Sequence, residues 1–269
     1  MNSLPADNVL GTIVAHKLEE VANRKKHRPL NQWMNQVRAF PQPHALERAI
    51  QPIHNATQKP AYILEIKPAS PSAGVLQETL DLASILPIYA QYGVAISVLT
   101  DAHYFGGSLE LLQSVSHQVT LPTLCKDFII DPYQVYEARH AGAQAVLLIV
   151  KSLSDSHLAE LNELVLTLGM TPLIEVQDAE EVRRALEINP SILLINNRNL
   201  QTLEMDLSTT ERLSPRIPEG ILKISASGIQ NKADIVRLQS HCDGFLIGSA
   251  LMREPTPEAL IQKLQALLA

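Results

Sequence analysis

The stretch Tyr62-Ile-Leu-Glu-Ile-Lys-Pro-Ala-Ser-Pro-Ser-Ala-Gly74 sets how the rest of the chain is read. It opens on apolar, β-favouring residues, Ile63, Leu64 and Ile66, and ends in proline, serine and glycine. That composition describes a buried strand running into a loop. Glu65 and Lys67 stand two positions apart at its end, so on a strand both side chains point to one side. A local ion pair at a strand end is the plain explanation. One wall of a functional site is the other.

Outward from this strand the same grammar repeats. Further β-rich runs occupy 94–100, 123–128, 145–150, 172–176, 192–196, 221–225 and 244–248, which with 61–67 makes eight. Helical patterns lie between and after them, at 80–92, 108–116, 132–141, 156–168, 178–186, 207–213, 232–239 and 257–268. Several boundaries are legible. Asp131 precedes Pro132, an N-cap followed by a proline at the first helical position. Ser156 is expected to begin the helix that Gly169 ends, and Asp178 precedes Glu180 and Glu181 in a first turn. The strands are unbroken apolar runs without polar alternation, which means parallel strands covered on the outside. A (β/α)8 TIM barrel over 61–269 is the economical solution. A doubly wound sheet competes, but the chain has no Gly-rich dinucleotide fingerprint.

Residues 1–60 form an N-terminal helical extension in this reading, and 1–269 a single barrel domain. A helix from Asn8 to His27 closes on Arg24-Lys25-Lys26-His27-Arg28. Those cations either complement the helix C-terminus or form a basic flap over an anionic ligand. From 30 to 53, short helices broken at Pro41, Pro43 and Pro52 are expected.

Composition excludes several roles. At 46% apolar and 19% charged, the 269 residues can bury a large core. A formal charge of −6 argues against a nucleic-acid surface. Cys125 and Cys242 are the only cysteines, far apart, so a reducing, cytoplasmic setting is expected and a disulfide is not. Residues 1–10 have no signal-peptide pattern, and the longest apolar run, Ala145 to Val150, is too short to span a bilayer. The nine histidines form no HxH or HxxxH pair and no CxxC occurs, so no protein-built metal site is expected.

In a (β/α)8 barrel the strand C-termini share one mouth. Glu65 and Lys67 end the first strand, Lys126 the third and Glu175 the fifth; Asn196, Asn197 and Arg198 follow the sixth. Ionisable groups from four strands converging on one mouth point to an active site. The last two strand ends carry Ser225-Ala226-Ser227-Gly228 and Gly248-Ser249 instead, suited to backbone N–H contacts with a phosphate.

The segments LEIKPASPSAG, SVLTDAHYFGGSLELL, LCKDFIIDPYQVYEAR, LIEVQDAEE, INNRNLQTLEMDL, SASGI and GFLIGSALM resemble the signature blocks of indole-3-glycerol phosphate synthase, in that family's order. The resemblance spans residues 8 to 268, and CKDFIIDPYQ and INNRNL are its most specific parts. It implies ring closure, with loss of CO2 and water, of 1-(2-carboxyphenylamino)-1-deoxyribulose 5-phosphate to indole-3-glycerol phosphate in tryptophan biosynthesis, without a cofactor. By matching position, Lys126 resembles the general acid and Glu175 the base or cation-stabilising carboxylate. Lys67 meets the substrate carboxylate, Glu65 positions it, and Asn196 and Arg198 order the site. Ser70, Ser227, Gly228, Gly248 and Ser249 are implied to bind substrate, mainly its phosphate. Association with other tryptophan-pathway enzymes is implied, and no nucleic acid or membrane.

The chain departs from the family in the first loop and after the seventh strand. Lysines common in the family are replaced by Pro68 and Ala73, and the family's SESGI reads Ser225-Ala226-Ser227-Gly228-Ile229 here, so a carboxylate is missing. With Ala226 opposite, Glu65 becomes the expected nearest carboxylate to the gap. The alternatives are a catalytically impaired relative that binds ligand or a pathway partner, and a related ribulose-phosphate barrel such as phosphoribosylanthranilate isomerase. The isomerase does not account for CKDFIIDPYQ.

Overall fold

The computed structural model describes residues 8–40, 44–57, 59–70, 74–77 and 80–268. Pro41, Pro43 and Ala73 lie outside them. Eight strands alternate with helices: β1 (Ala61–Ile66), β2 (Ala95–Leu99), β3 (Thr123–Lys126), β4 (Ala145–Ile149), β5 (Thr171–Val176), β6 (Ile192–Asn196), β7 (Leu222–Ala226) and β8 (Gly244–Ile247). Each pairs in parallel with its sequence neighbours, and β8 closes on β1 through Ala61↔Gly244 to Leu64↔Ile247. The closed barrel excludes the doubly wound alternative.

Strand periodicity sorts the side chains. Ile63, Leu124, Leu147, Leu173, Leu194, Ile224 and Leu246 belong to one apolar cluster in the barrel interior. Their neighbours Leu64, Ile66, Cys125, Val146, Leu148, Ile174, Leu193 and Ile247 belong to a second, against the surrounding helices. Glu65, Lys126, Glu175 and Ala226 share the parity of the interior set. A period of two therefore sends them into the barrel at its C-terminal end.

Three helices precede the barrel, α1 (Val9–His27), α2 (Leu30–Gln36) and α3 (Ala45–Thr57). The extension runs from the mouth to the floor. At the mouth, α1 buries Lys17 against Asp101, which follows β2, at 2.8 Å and against Asp127, which follows β3, at 3.1 Å. The α2 residue Trp33 packs edge-on against Tyr133 at the side. At the floor, Leu46 and Ile50 of α3 are fully buried, and Glu47 accepts hydrogen bonds from Thr171 and Ser191, both at 2.5 Å. Helix α3 continues through Pro52, contrary to the expected break. Its buried face outweighs the roughly 3 kcal/mol a helical proline costs.

The remaining helices are α4 (Leu82–Tyr92), α5 (Ala102–Phe105), α6 (Leu109–Gln118), α7 (Pro132–His140), α8 (Asp155–Thr167), α9 (Ala179–Leu186), α10 (Ser208–Leu213), α11 (Lys232–Leu238) and α12 (Pro257–Leu268). Asp131 caps α7 and Asp178 caps α9 as expected. The cap of α8 is Ser154 instead of Ser156, because the Ser154 side chain reaches the His157 N–H. The basic end of α1 is not a flap over the mouth: Arg24 pairs with Glu20 and Glu137, Lys25 pairs with Asp131, and Arg28 stacks on Trp33. These contacts hold it against α2 and α7. Cys125 and Cys242 are both free and buried. No helix among the described residues is long and apolar enough to cross a membrane.

Candidate active site

A cavity of about 260 Å³ opens at the C-terminal end of the barrel. Its wall includes Glu65, Lys67, Lys126, Glu175, Asn196, Arg198, Ser227, Gly228, Gly248 and Ser249. Ser70 is the one expected site residue that does not line it. It is buried in a two-residue antiparallel pairing, Ala69–Ser70 with Gly74–Val75, beyond β1.

Strands β1, β3, β5 and β7 supply Glu65, Lys126, Glu175 and Ala226, as alternate strands do when they fill one layer of a barrel. Glu65 accepts from Lys67 at 2.9 Å and faces Lys126 at 3.9 Å. The plain ion pair and the site wall are thus the same object. Burial raises the carboxyl pKa of Glu65, but the ammonium groups of Lys67 and Lys126 outweigh it and hold the group below the usual range. Glu175 goes the other way. Burial dominates there, Glu65 adds to it, and Lys126 and the Asn196 amide oppose it only in part, so its pKa is raised. Two buried carboxylates in one cavity are pushed apart in acidity, the pattern that divides roles between acid and base.

Asn196 connects β5 and β6, donating to Glu175 at 2.9 Å and accepting the Arg198 N–H at 3.0 Å. The Gln177 side chain donates to the Arg198 carbonyl at 2.7 Å and accepts from the Leu200 N–H at 3.3 Å. The loop carrying Arg198 and Leu200 is thereby tied to the end of β5.

The opposite rim is backbone. The N–H groups of Ser227, Gly228, Gly248 and Ser249 meet no acceptor among the described residues. Unpaired backbone donors beside a cavity suit an anion. Gly228 has φ 85°, and a Cβ there would lie 2.8 Å from the Leu207 side chain. A Cβ on Gly248 would collide with the Glu65 carboxylate. Arg253 and Lys263 also line this rim.

A smaller recess of about 40 Å³, lined by Phe105, Phe128, Leu147, Ile149 and Leu200 among others, adjoins Lys126, Glu175 and Asn196. Sequence reasoning did not single out these residues. Phe105 and Phe128 lie inside the quoted blocks, but a lone aromatic beside a strand end reads equally as core.

Fold and mouth together define a (β/α)8 barrel whose cavity carries apposed ammonium and carboxylate groups, a rim of backbone N–H groups and an apolar recess. Residues 10–264 match the family model described as indole-3-glycerol phosphate synthase. The chain belongs to that family. It is 42% identical over 257 residues to the tryptophan biosynthesis protein TrpCF of Yersinia pestis, covering 95% of this chain and 52% of that protein. It is 41% identical over 258 residues to TrpCF of Vibrio cholerae, covering 95% and 53%. The chain thus spans about half the length of the curated relatives it matches. Among solved structures, tryptophan synthase subunit alpha from Legionella pneumophila superposes with a TM-score of 0.61 at 13% identity, covering 83% of this chain and 96% of that one. A chain of the Pyrococcus furiosus tryptophan synthase complex gives 0.57 at 15%, covering 78% and 98%. These two likenesses bear on the fold alone.

Proposed function

We propose that the chain, with its extension 1–60 and barrel 61–269 acting as one unit, closes the indole ring of 1-(2-carboxyphenylamino)-1-deoxyribulose 5-phosphate. CO2 and water leave, and indole-3-glycerol phosphate is formed. One observation carries this reading: a single cavity holds Lys126 and Glu175 between an apolar recess and four backbone N–H groups that meet no acceptor among the described residues. The substrate has matching parts, an aryl ring, a ketone and a phosphate. Cytoplasmic location and association with other tryptophan-pathway enzymes belong to this proposal.

The phosphate sits on the N–H groups of the two glycine loops and the ring in the recess. Lys126 protonates the ketone oxygen as the ring carbon bearing the carboxylate attacks the carbonyl carbon. Lys67, oriented by Glu65, meets that carboxylate. Decarboxylation restores aromaticity; the new hydroxyl then leaves as water on a proton from Lys67, and the hydrogen on the adjacent ring carbon is lost as a proton to the base. Glu175, whose proton affinity is raised by burial, stabilises the developing cation on nitrogen and takes the proton. Asn196 holds Glu175, and Arg198 completes the polar wall.

A second reading, an impaired relative that binds the ligand, is favoured by Ala226, whose buried methyl stands where the family places a carboxylate. Incubating the purified chain with the carboxyphenylamino substrate and following indole fluorescence tests both. Lys126→Met is expected to lower kcat by about 10²–10⁴-fold, the usual worth of one acid–base group. Ala226→Glu is expected to raise turnover. Absence of turnover in both the parent chain and Ala226→Glu sinks the enzymatic reading and leaves the binding one.

A further inference from the structure

Asn197 takes no part in the reaction just described, yet it is among the most fully bonded polar side chains of the mouth. It is 1% exposed. Its amide donates to Ser225 Oγ at 3.1 Å and to the Ser227 carbonyl at 3.0 Å. Its side-chain oxygen accepts from the Thr210 N–H at 3.2 Å and the Thr210 hydroxyl at 2.8 Å. Thr210 and Ser225 lie 2.8 Å apart and are themselves buried. The Asn197 backbone N–H also donates to the Ala226 carbonyl at 2.9 Å. One residue at the end of β6 therefore grips the end of β7 by backbone and side chain and ties both to α10.

What it grips is strained. Ser227 has φ 68°, a left-handed conformation uncommon for a residue other than glycine. Such a residue persists only where its surroundings over-determine it, and such positions cluster at ligand clamps. Here the restraint is the hydrogen bond from Asn197 to the Ser227 carbonyl. The consequence is that the Ser227 and Gly228 N–H groups stand beside the cavity with no acceptor among the described residues. Without the restraint Ser227 would relax towards negative φ, and the peptide planes carrying these donors would turn.

We infer that Asn197 is a positioning residue for the phosphate end of the site: it holds Ser227 left-handed and so keeps the Ser227–Gly228 donors aimed at the anion. The inference rests on the phosphate reading above and adds to it a residue that touches no substrate.

The test uses the full chain and two ligands, the carboxyphenylamino substrate and inorganic phosphate. Asn197→Asp keeps the acceptor for Thr210 but cannot donate to Ser227. It is expected to raise both KM and the phosphate dissociation constant about tenfold, the scale of one lost hydrogen bond, with kcat within about threefold of the parent. Adding Ser227→Gly, which adopts positive φ without strain, is expected to recover at least about threefold of the phosphate affinity. Simple repulsion by the new carboxylate would not be relieved that way. Unchanged phosphate affinity in Asn197→Asp, a loss confined to kcat, or no recovery in the double variant each overturns the inference. Should Asn197→Asp fail to fold, Asn197→Ser against Asn197→Ser/Ser227→Gly gives the same comparison. If the parent chain shows no turnover, the proposed reaction fails, while calorimetric phosphate titration still decides the role of Asn197.

Discussion

At the residue scale, Glu65 depends on a neighbour with no side chain. Its carboxylate lies where a Cβ on Gly248 would be, and from there it reaches Lys67 and Lys126. Gly248→Ala must displace the carboxylate or the backbone of β8, an overpacking cost of about 1–3 kcal/mol. The expected result is a modest fall in Tm with a disproportionate fall in kcat, because the ion pair that orients Lys67 is broken. Thermal melts and steady-state kinetics on one preparation check this, and an unchanged kcat refutes it. Glu65 and Lys67 were legible as a same-side pair because strand periodicity is local. The Gly248 contact was not, since it joins β1 to β8, the first and last strands.

At the element scale, α1 is fastened to the mouth of the barrel through a buried ammonium. Lys17 is 0% exposed and lies 2.8 Å from Glu20, 2.8 Å from Asp101 and 3.1 Å from Asp127. Burial disfavours its charge, but Asp127 and Asp101 outweigh this and hold its pKa above the ordinary value. Asp101 also caps α5, and Asp127 accepts from Thr100 and from the Phe128 N–H, each at 2.7 Å. Lys17→Met leaves two carboxylates buried without their cation, which costs about 3–5 kcal/mol. For a chain of this size that lowers Tm by on the order of 10 °C. Calorimetry checks it, and Lys17→Met melting within a degree or two of the parent contradicts it. The sequence showed α1 as a helix with a basic end. It did not show that the buried lysine mid-helix, rather than the basic cluster, is the attachment to the mouth, because that contact needs Asp101 and Asp127 brought together by adjacent strands.

At the scale of the whole molecule, the extension wraps the barrel from mouth to floor and buries charged groups where it packs against it. Where α1 meets α7, burial pushes the carboxyl of Glu137 up to about 7; Arg24 opposes this, while Asp127 and Glu20 reinforce it. Unfolded, the group titrates near its ordinary value of about 4.3. Between those values the folded chain holds the extra proton, so stability falls as pH rises from about 4.5 to 7. Glu137→Gln is expected to flatten that slope and, at pH 8, to stabilise the chain by roughly 1–3 kcal/mol. Urea melts of both proteins at pH 5 and pH 8 measure the difference. If the parent and variant share one pH slope, burial of Glu137 is not a determinant of stability.

The succession of strands and helices, and the parity that sends Glu65, Lys67, Lys126, Glu175 and Asn196 to one mouth, were in the sequence. Each is a property of a few consecutive residues, fixed by hydrophobic period and turn chemistry. The glycine and serine rim after the last two strands was legible for the same reason. Only the tertiary structure decided that Ser70 does not line the cavity, that Phe105, Phe128 and Leu147 build its apolar recess, and that Asn197 hydrogen-bonds the Ser227 carbonyl. Those outcomes depend on which side chains of different strands and loops come within hydrogen-bonding or van der Waals reach, and barrel closure, not local pattern, sets those distances.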